Sequence, residues 1–231
     1  MPQWIKSIFI IFSLLTATLF LAANEFWLQP ERFKCRRGET INIRFQVGKN
    51  FVGDNWKGNS TRINTLNLYL NDAKDDLTEQ LSKQTGDSIQ LAMFDEGTAM
   101  ITFNSLNTFV KIEARRFNDY LKEDGLYNAL SDREKNNETN EAGRELYQRS
   151  VKTLIQVGKK TNDCFKQITG LPLDIIPLSN PYLLKNNQLL ITKILFNNKP
   201  LANYDIRVWH RIRNITQQQQ LKTNSKGENN E

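Results

Sequence analysis

Histidine is almost missing from this 231-residue chain, with His210 the sole example. One imidazole excludes a zinc site built on paired histidines. A serine triad would have to recruit His210, and there is no Gly-x-Ser-x-Gly elbow to present its nucleophile. The glycine-rich phosphate loop and the dinucleotide fingerprint are missing as well. Carboxylates are plentiful, but a glycosidase pair is defined by a separation in space that spacing along the chain does not give. The expectation is therefore a protein that is not an enzyme. Cysteine is also scarce. Cys35 and Cys164 would allow one disulfide in an oxidising compartment, or else two buried free thiols.

Charge of one sign does not dominate either. Lys and Arg total 31 against 25 Asp and Glu, a formal balance of +6. Basic residues come as pairs (Arg36-Arg37, Arg115-Arg116, Lys159-Lys160) with no long run, which reads as solvated surface and not as a nucleic-acid footprint. Apolar runs are short, with one exception at the start. Lys6 precedes a mostly apolar stretch from Ile8 to Leu21, and Ala22-Ala23 offers the small residue that a signal peptidase needs. That stretch is shorter than the roughly 20 residues that span a bilayer comfortably. The reading is a cleavable signal peptide over residues 1–23, a mature chain from Asn24, and export to the periplasm or beyond. An uncleaved anchor is the alternative.

The chain that follows alternates with period two, the mark of half-buried strands. Ile41, Ile43, Phe45 and Val47 share one face, while Asn42, Arg44 and Gln46 share the other. Leu66, Leu68 and Leu70 repeat the pattern, as do Ala99, Ile101 and Phe103, and then Val110, Ile112 and Ala114. The rhythm breaks over about 115–150. Phe117, Tyr120 and Leu121 stand at helical spacing with Gly125 as a C-cap, and a second short helix fits Leu126–Leu130. Ser131–Gly143 is polar without a period and reads as an exposed loop. Alternation resumes with Val151, Thr153, Ile155 and Val157. Near Gly170 an extended, proline-punctuated crossover begins. Strands follow at Leu189–Leu195 and Tyr204–His210, and a turn at Thr223–Gly227 leads only to polar residues.

The expected fold is mainly β. It comprises an antiparallel β-sandwich over 24–169 carrying the helical insertion, then a second, partial, transthyretin-like β-sandwich over 170–231. Exposed aromatics such as Trp56 or Trp209 would suit an interaction surface.

Several stretches resemble a known family. These are Asn24-Glu25-Phe26-Trp27-Leu28-Gln29-Pro30, Val47-Gly48-Lys49-Asn50-Phe51, the run Phe117–Leu126, Gly170–Leu178 with Asn180-Pro181-Tyr182, and Val208-Trp209-His210-Arg211. In this order they resemble domain of unknown function 4198, a family of secreted bacterial proteins often described as periplasmic components of cobalt or nickel uptake. The resemblance implies a non-enzymatic accessory protein whose partner is a membrane transport system or another envelope protein. In that family the mature chain typically opens on His, where a free amine and an imidazole would together grip nickel or cobalt. Here Asn24 stands in that place, so the metal candidates become Asn24, Glu25 and His210. The alternative is an envelope-interaction or glycan-binding module.

Overall fold

The computed structural model describes residues 25–82, 86–185 and 187–229. The expected signal segment 1–23 and the metal candidate Asn24 lie outside the described residues. The chain is mainly β, with several antiparallel sheets and few helices. Among the described residues no helix is long and apolar enough to cross a membrane.

In chain order the strands begin with β1 (Glu25–Pro30), β2 (Lys34–Cys35), β3 (Thr40–Lys49) and β4 (Val52–Asn55). Next come β5 (Ile63–Leu70), β6 (Ala73–Asp76), helix α1 (Thr78–Ser82), β7 (Ser88–Ala92) and β8 (Gly97–Ser105). Then follow β9 (Thr108–Ile112), α2 (Ala114–Glu123), α3 (Tyr127–Lys135) and β10 (Gly143–Tyr147). The chain continues through β11 (Ser150–Val157), β12 (Leu173–Pro177), β13 (Thr192–Phe196), β14 (Lys199–Pro200), β15 (Asp205–Ile212) and β16 (Ile215–Lys222). They form two compact units, one holding residues 109–146 and the other the remaining described residues.

The larger unit is organised by two sheets. In the first, β3 lies between β1 on one edge and β4 with β7 on the other, all antiparallel. The second runs β2-β11-β8-β5-β6, with only β2 parallel to its neighbour. Their inward faces meet in one cluster. Ile41, Ile43 and Phe45 of β3 and Ala99, Ile101 and Phe103 of β8 are all fully buried. The contact across the sheets is aromatic: Phe103 lies 4.8 Å from Phe26, 5.7 Å from Phe45 and 5.5 Å from Trp56, centroid to centroid. Such tilted and edge-on pairs add about 0.5–1.5 kcal/mol each beyond the area they bury. Trp56 is thus a core residue, which removes it from the candidate interaction surface.

β8 is buried at every position, so its outer face is covered too. That face is mixed: Thr98, Met100, Thr102 and Asn104 stand opposite Gln156, Leu154, Lys152 and Ser150 of β11. Met100 packs with Tyr69, Leu154 and Cys164 in a cluster of its own. The polar members need hydrogen bonds once water is excluded, and the segment between β11 and β13 supplies them. Asn180 Nδ2 donates to Thr98 Oγ1 at 2.8 Å, and Thr98 Oγ1 donates to Gln156 Oε1 at 2.9 Å. Tyr182 OH donates to the Leu154 carbonyl at 2.6 Å. Asp174 is fully buried, faces Lys152 Nζ, and accepts from the Thr169 amide at 2.7 Å and its hydroxyl at 3.0 Å. Burial pushes the Lys152 ammonium below its usual range, and Asp174 opposes that shift. The proline-rich crossover is therefore structured: Leu173–Pro177 is β12, paired along its length with β13.

Two sequence expectations need correction. The strand expected at Leu189–Leu195 begins only at Thr192, and Leu189, Leu190 and Ile191 are exposed. The polar stretch from Ser131 is not all loop, because α3 runs on to Lys135. A polar residue holds that extension in place. Arg133 stacks on Phe117, with its guanidinium carbon 4.9 Å from the ring centroid. Its nitrogens donate to Asn118 Oδ1 at 3.0 Å and to the carbonyls of Glu138 and Glu141 at 2.6 Å each. In the same unit Glu113 caps α2 by accepting from the Arg115 and Arg116 amides, which draws its carboxyl below the usual range.

Two predictions follow from the covered outer face of β8. Asp174→Asn strands a buried ammonium and should cost about 3–5 kcal/mol, read by urea unfolding. The second concerns pH. Burial pushes the Tyr182 phenol well above its ordinary value, so in the unfolded chain it loses its proton first. Its stabilising contribution is complete below about pH 10 and fades as pH climbs above that value. Tyr182→Phe should cost about 1 kcal/mol at pH 7 through the lost hydrogen bond. It should also flatten the alkaline loss of stability in melts recorded across that range.

Candidate functional site

The run Val47-Gly48-Lys49-Asn50-Phe51-Val52-Gly53 folds as a hairpin with a two-residue loop. Lys49 pairs with Val52 and Gly48 with Gly53 on either side of Asn50-Phe51. Both loop residues have positive φ, 55° and 59°, the requirement of the turn that matches the natural twist of two strands. Asn tolerates that conformation. A bulky aromatic does not, and holding Phe51 there costs on the order of 1–3 kcal/mol. The glycine pair beside the loop is equally constrained: a Cβ on Gly48 would lie 2.0 Å from the Val52 carbonyl oxygen.

Contacts from two distant parts of the chain hold the turn. From β1, Glu25 Oε2 accepts from the Asn50 amide at 3.0 Å, and Trp27 meets Phe51 edge to face at 6.0 Å. From the hairpin β15–β16, Trp209 Nε1 donates to Asn50 Oδ1 at 2.9 Å and Arg211 donates to the Phe51 carbonyl at 3.0 Å. Thr216, the cross-strand partner of Arg211, adds a longer bond to the Asn50 carbonyl at 3.4 Å.

This geometry separates the metal candidates. Trp209 and Arg211 turn one face of β15 to the Asn50-Phe51 loop. Side chains alternate along a strand, so His210 projects from the opposite face, where it is exposed across from Gln217. Glu25 and His210 are therefore not assembled into one ligand set. Among the described residues no group of three or more His, Cys, Asp or Glu side chains is placed to hold a metal ion. The cysteines are free and buried. Cys35 belongs to the cluster between the two sheets and Cys164 to the one on the outer face of the second sheet, so that sheet stands between them. Burial raises the pKa of both thiols, which keeps them protonated and unreactive.

Sequence reading had not assigned roles to Trp27, Phe51, Arg211 or Thr216. One signal was available, because an aromatic in a two-residue loop flanked by glycines at Gly48 and Gly53 is a poor choice for the turn itself.

The chain is thus a mainly β protein in which aromatic, arginine and carboxylate side chains clasp one strained turn. The family model for "Domain of unknown function (DUF4198)" matches residues 21–229, and the chain belongs to that family. No curated protein matches the chain. Every segment that converges on the turn lies within the matched residues.

Replacing Trp209 with Phe keeps the ring and removes the bond to Asn50. The expected cost is about 1 kcal/mol, with faster amide exchange confined to β15, β16 and the Asn50-Phe51 loop. Uniform loss of protection across both sheets would contradict a local clasp.

Proposed function

We propose that this is an exported, non-enzymatic accessory protein of the cell envelope that works by binding another envelope protein at the Asn50-Phe51 junction. One observation carries the reading. Stretches around Glu25 and Trp209, the latter 159 positions from Asn50, converge on a single turn that holds an aromatic residue in left-handed backbone. Strain of this kind persists where the surroundings enforce it, and it gathers at ligand clamps. Tryptophan and arginine, which supply the clasp, are also the residues that dominate binding energy at protein interfaces. A membrane transport system fits as the partner through the family resemblance, and nucleic acid does not, since the basic residues form no run.

A second reading, capture of nickel or cobalt, is favoured by one detail. Glu25 is held by the Asn50 amide at the first described position of β1, directly after Asn24. A free amine at Asn24, its side-chain amide and Glu25 would form the ligand set, with His210 outside it.

Two experiments separate these readings. A photo-crosslinking residue in place of Val52, which is 70% exposed beside the loop, should give one discrete crosslinked species in intact cells. The same label at exposed Ile168 should not, and an identical pattern from both positions would remove the junction as a docking site. Calorimetric titration of the exported protein with nickel or cobalt tests the alternative. One-to-one binding lost in Glu25→Gln and retained in His210→Ala would establish it; absence of heat would leave partner binding as the sole function of the junction.

A further inference from the structure

Four loops of the larger unit converge on an open cleft of about 360 Å³. Arg37 comes from the loop between β2 and β3, and Asn71 from the turn between β5 and β6. Asp95 and Glu96 come from the approach to β8, and Lys160 with Thr161 from the segment after β11. The lining is polar throughout and carries two cations and two carboxylates. Among the described residues, none of these four charges takes part in an ion pair.

The frame around them is fixed. Asn162 Oδ1 accepts from the Thr98 and Cys164 amides at 3.3 Å, and its Nδ2 donates to Asn71 Oδ1 at 3.0 Å. The buried Gln156 side chain donates to the Lys160 carbonyl at 2.8 Å. Glu96 lies on the bare backbone of Gly158, where a Cβ would come within 2.5 Å of its carboxyl carbon. Arg37 Nε donates to the Phe94 carbonyl at 2.6 Å. That bond anchors the guanidinium, and among the described residues its two terminal nitrogens have no partner.

We propose that this cleft binds a free α-amino acid, with its carboxylate on the Arg37 fork and Lys160 and its ammonium on Asp95 and Glu96. Opposite charges that line one opening without pairing are each left unneutralised by the protein, and a ligand of both signs satisfies both sets. An anion alone would also meet the two carboxylates, and a cation alone the arginine and lysine. A metal ion would find only two carboxylates, and no larger ligand group is assembled among the described residues. The volume sits at the lower end of small-molecule sites. An arginine anchored through Nε keeps its paired terminal donors for a carboxylate, and loops already tied down lower the ordering cost of binding. Arg37 precedes β3 and the Asn50-Phe51 turn follows it, so the ten residues of that strand separate the cleft from the junction. The proposal does not rest on the partner reading.

The test is thermal melting of the exported protein with each common L-α-amino acid at millimolar concentration, then calorimetric titration with any that raises the midpoint. At least one should do so and bind one-to-one. Its N-acetyl and carboxamide derivatives, each missing one charge, should bind at least about tenfold more weakly. Arg37→Gln and Glu96→Gln should each weaken the amino acid by a similar factor while leaving the melting temperature of the free protein unchanged, since neither side chain is buried. Lys160→Gln, on an exposed position, gives the same reading if the Arg37 change disturbs its loop. No shift with any amino acid, undiminished binding of either derivative, or unchanged affinity in the variants would overturn the proposal. A crosslink from position 52 is unaffected by any of these results, so this proposal and the partner reading fail separately.

Discussion

The structure depends on β8 being buried on both faces. A strand with one dry face needs only an apolar row, and Ala99, Ile101 and Phe103 provide it against the first sheet. Its other row includes Thr98, Thr102 and Asn104, and enclosing these without partners would cost on the order of 1–3 kcal/mol apiece. The solution is a polar layer. Gln156, Lys152 and Ser150 come from the neighbouring strand, and Asn180 and Asp174 come from the segment laid across them. The route of residues 158–184 follows from this requirement, because each side chain that reaches down fixes one point of the crossover. Hydrogen bonds are directional where apolar contact is not, so the covering segment has one register on the sheet.

That layer also marks the boundary of what could be read from sequence. Alternation identified β3, β5, β8 and β11 from their inward residues, since burial on one side leaves a period of two. The outward residues Thr98, Thr102 and Asn104 looked like solvent-facing positions, and only the distant Asp174 and Asn180 reveal otherwise. Arg133 misled in the same way: a charged residue in a polar stretch reads as loop, yet here it is buried and ties down the carbonyls of Glu138 and Glu141. The site was half legible. Glu25 and His210 were named as candidates, and a strand over Tyr204–His210 puts the neighbours Trp209 and His210 on opposite faces, because side chains alternate along a strand. The sequence could not say which of those faces met another element.

The junction at Asn50-Phe51 combines local cost with distant support. A tight loop imposes left-handed backbone on an aromatic residue, and Trp27 and Arg211 hold it there. The same turn brings Glu25 and Trp209 onto one residue, Glu25 at the backbone amide of Asn50 and Trp209 at its side-chain oxygen. A carboxylate, indole rings and a guanidinium thus meet on one exposed loop, an arrangement suited to recognition and needing no cleft.

The distance along the chain between the two halves of that clasp has a consequence for the order of folding. Asn50 is translated 159 residues before the tryptophan that bonds it. Closing a loop of that length is entropically expensive and contributes to slow folding. Until β15 and β16 exist, the Asn50-Phe51 turn lacks half of its supports, so the early hairpin is weakly held while most of the polypeptide is being made. The clasp therefore closes only after both of its halves have been made, and the turn gains its full support late in folding.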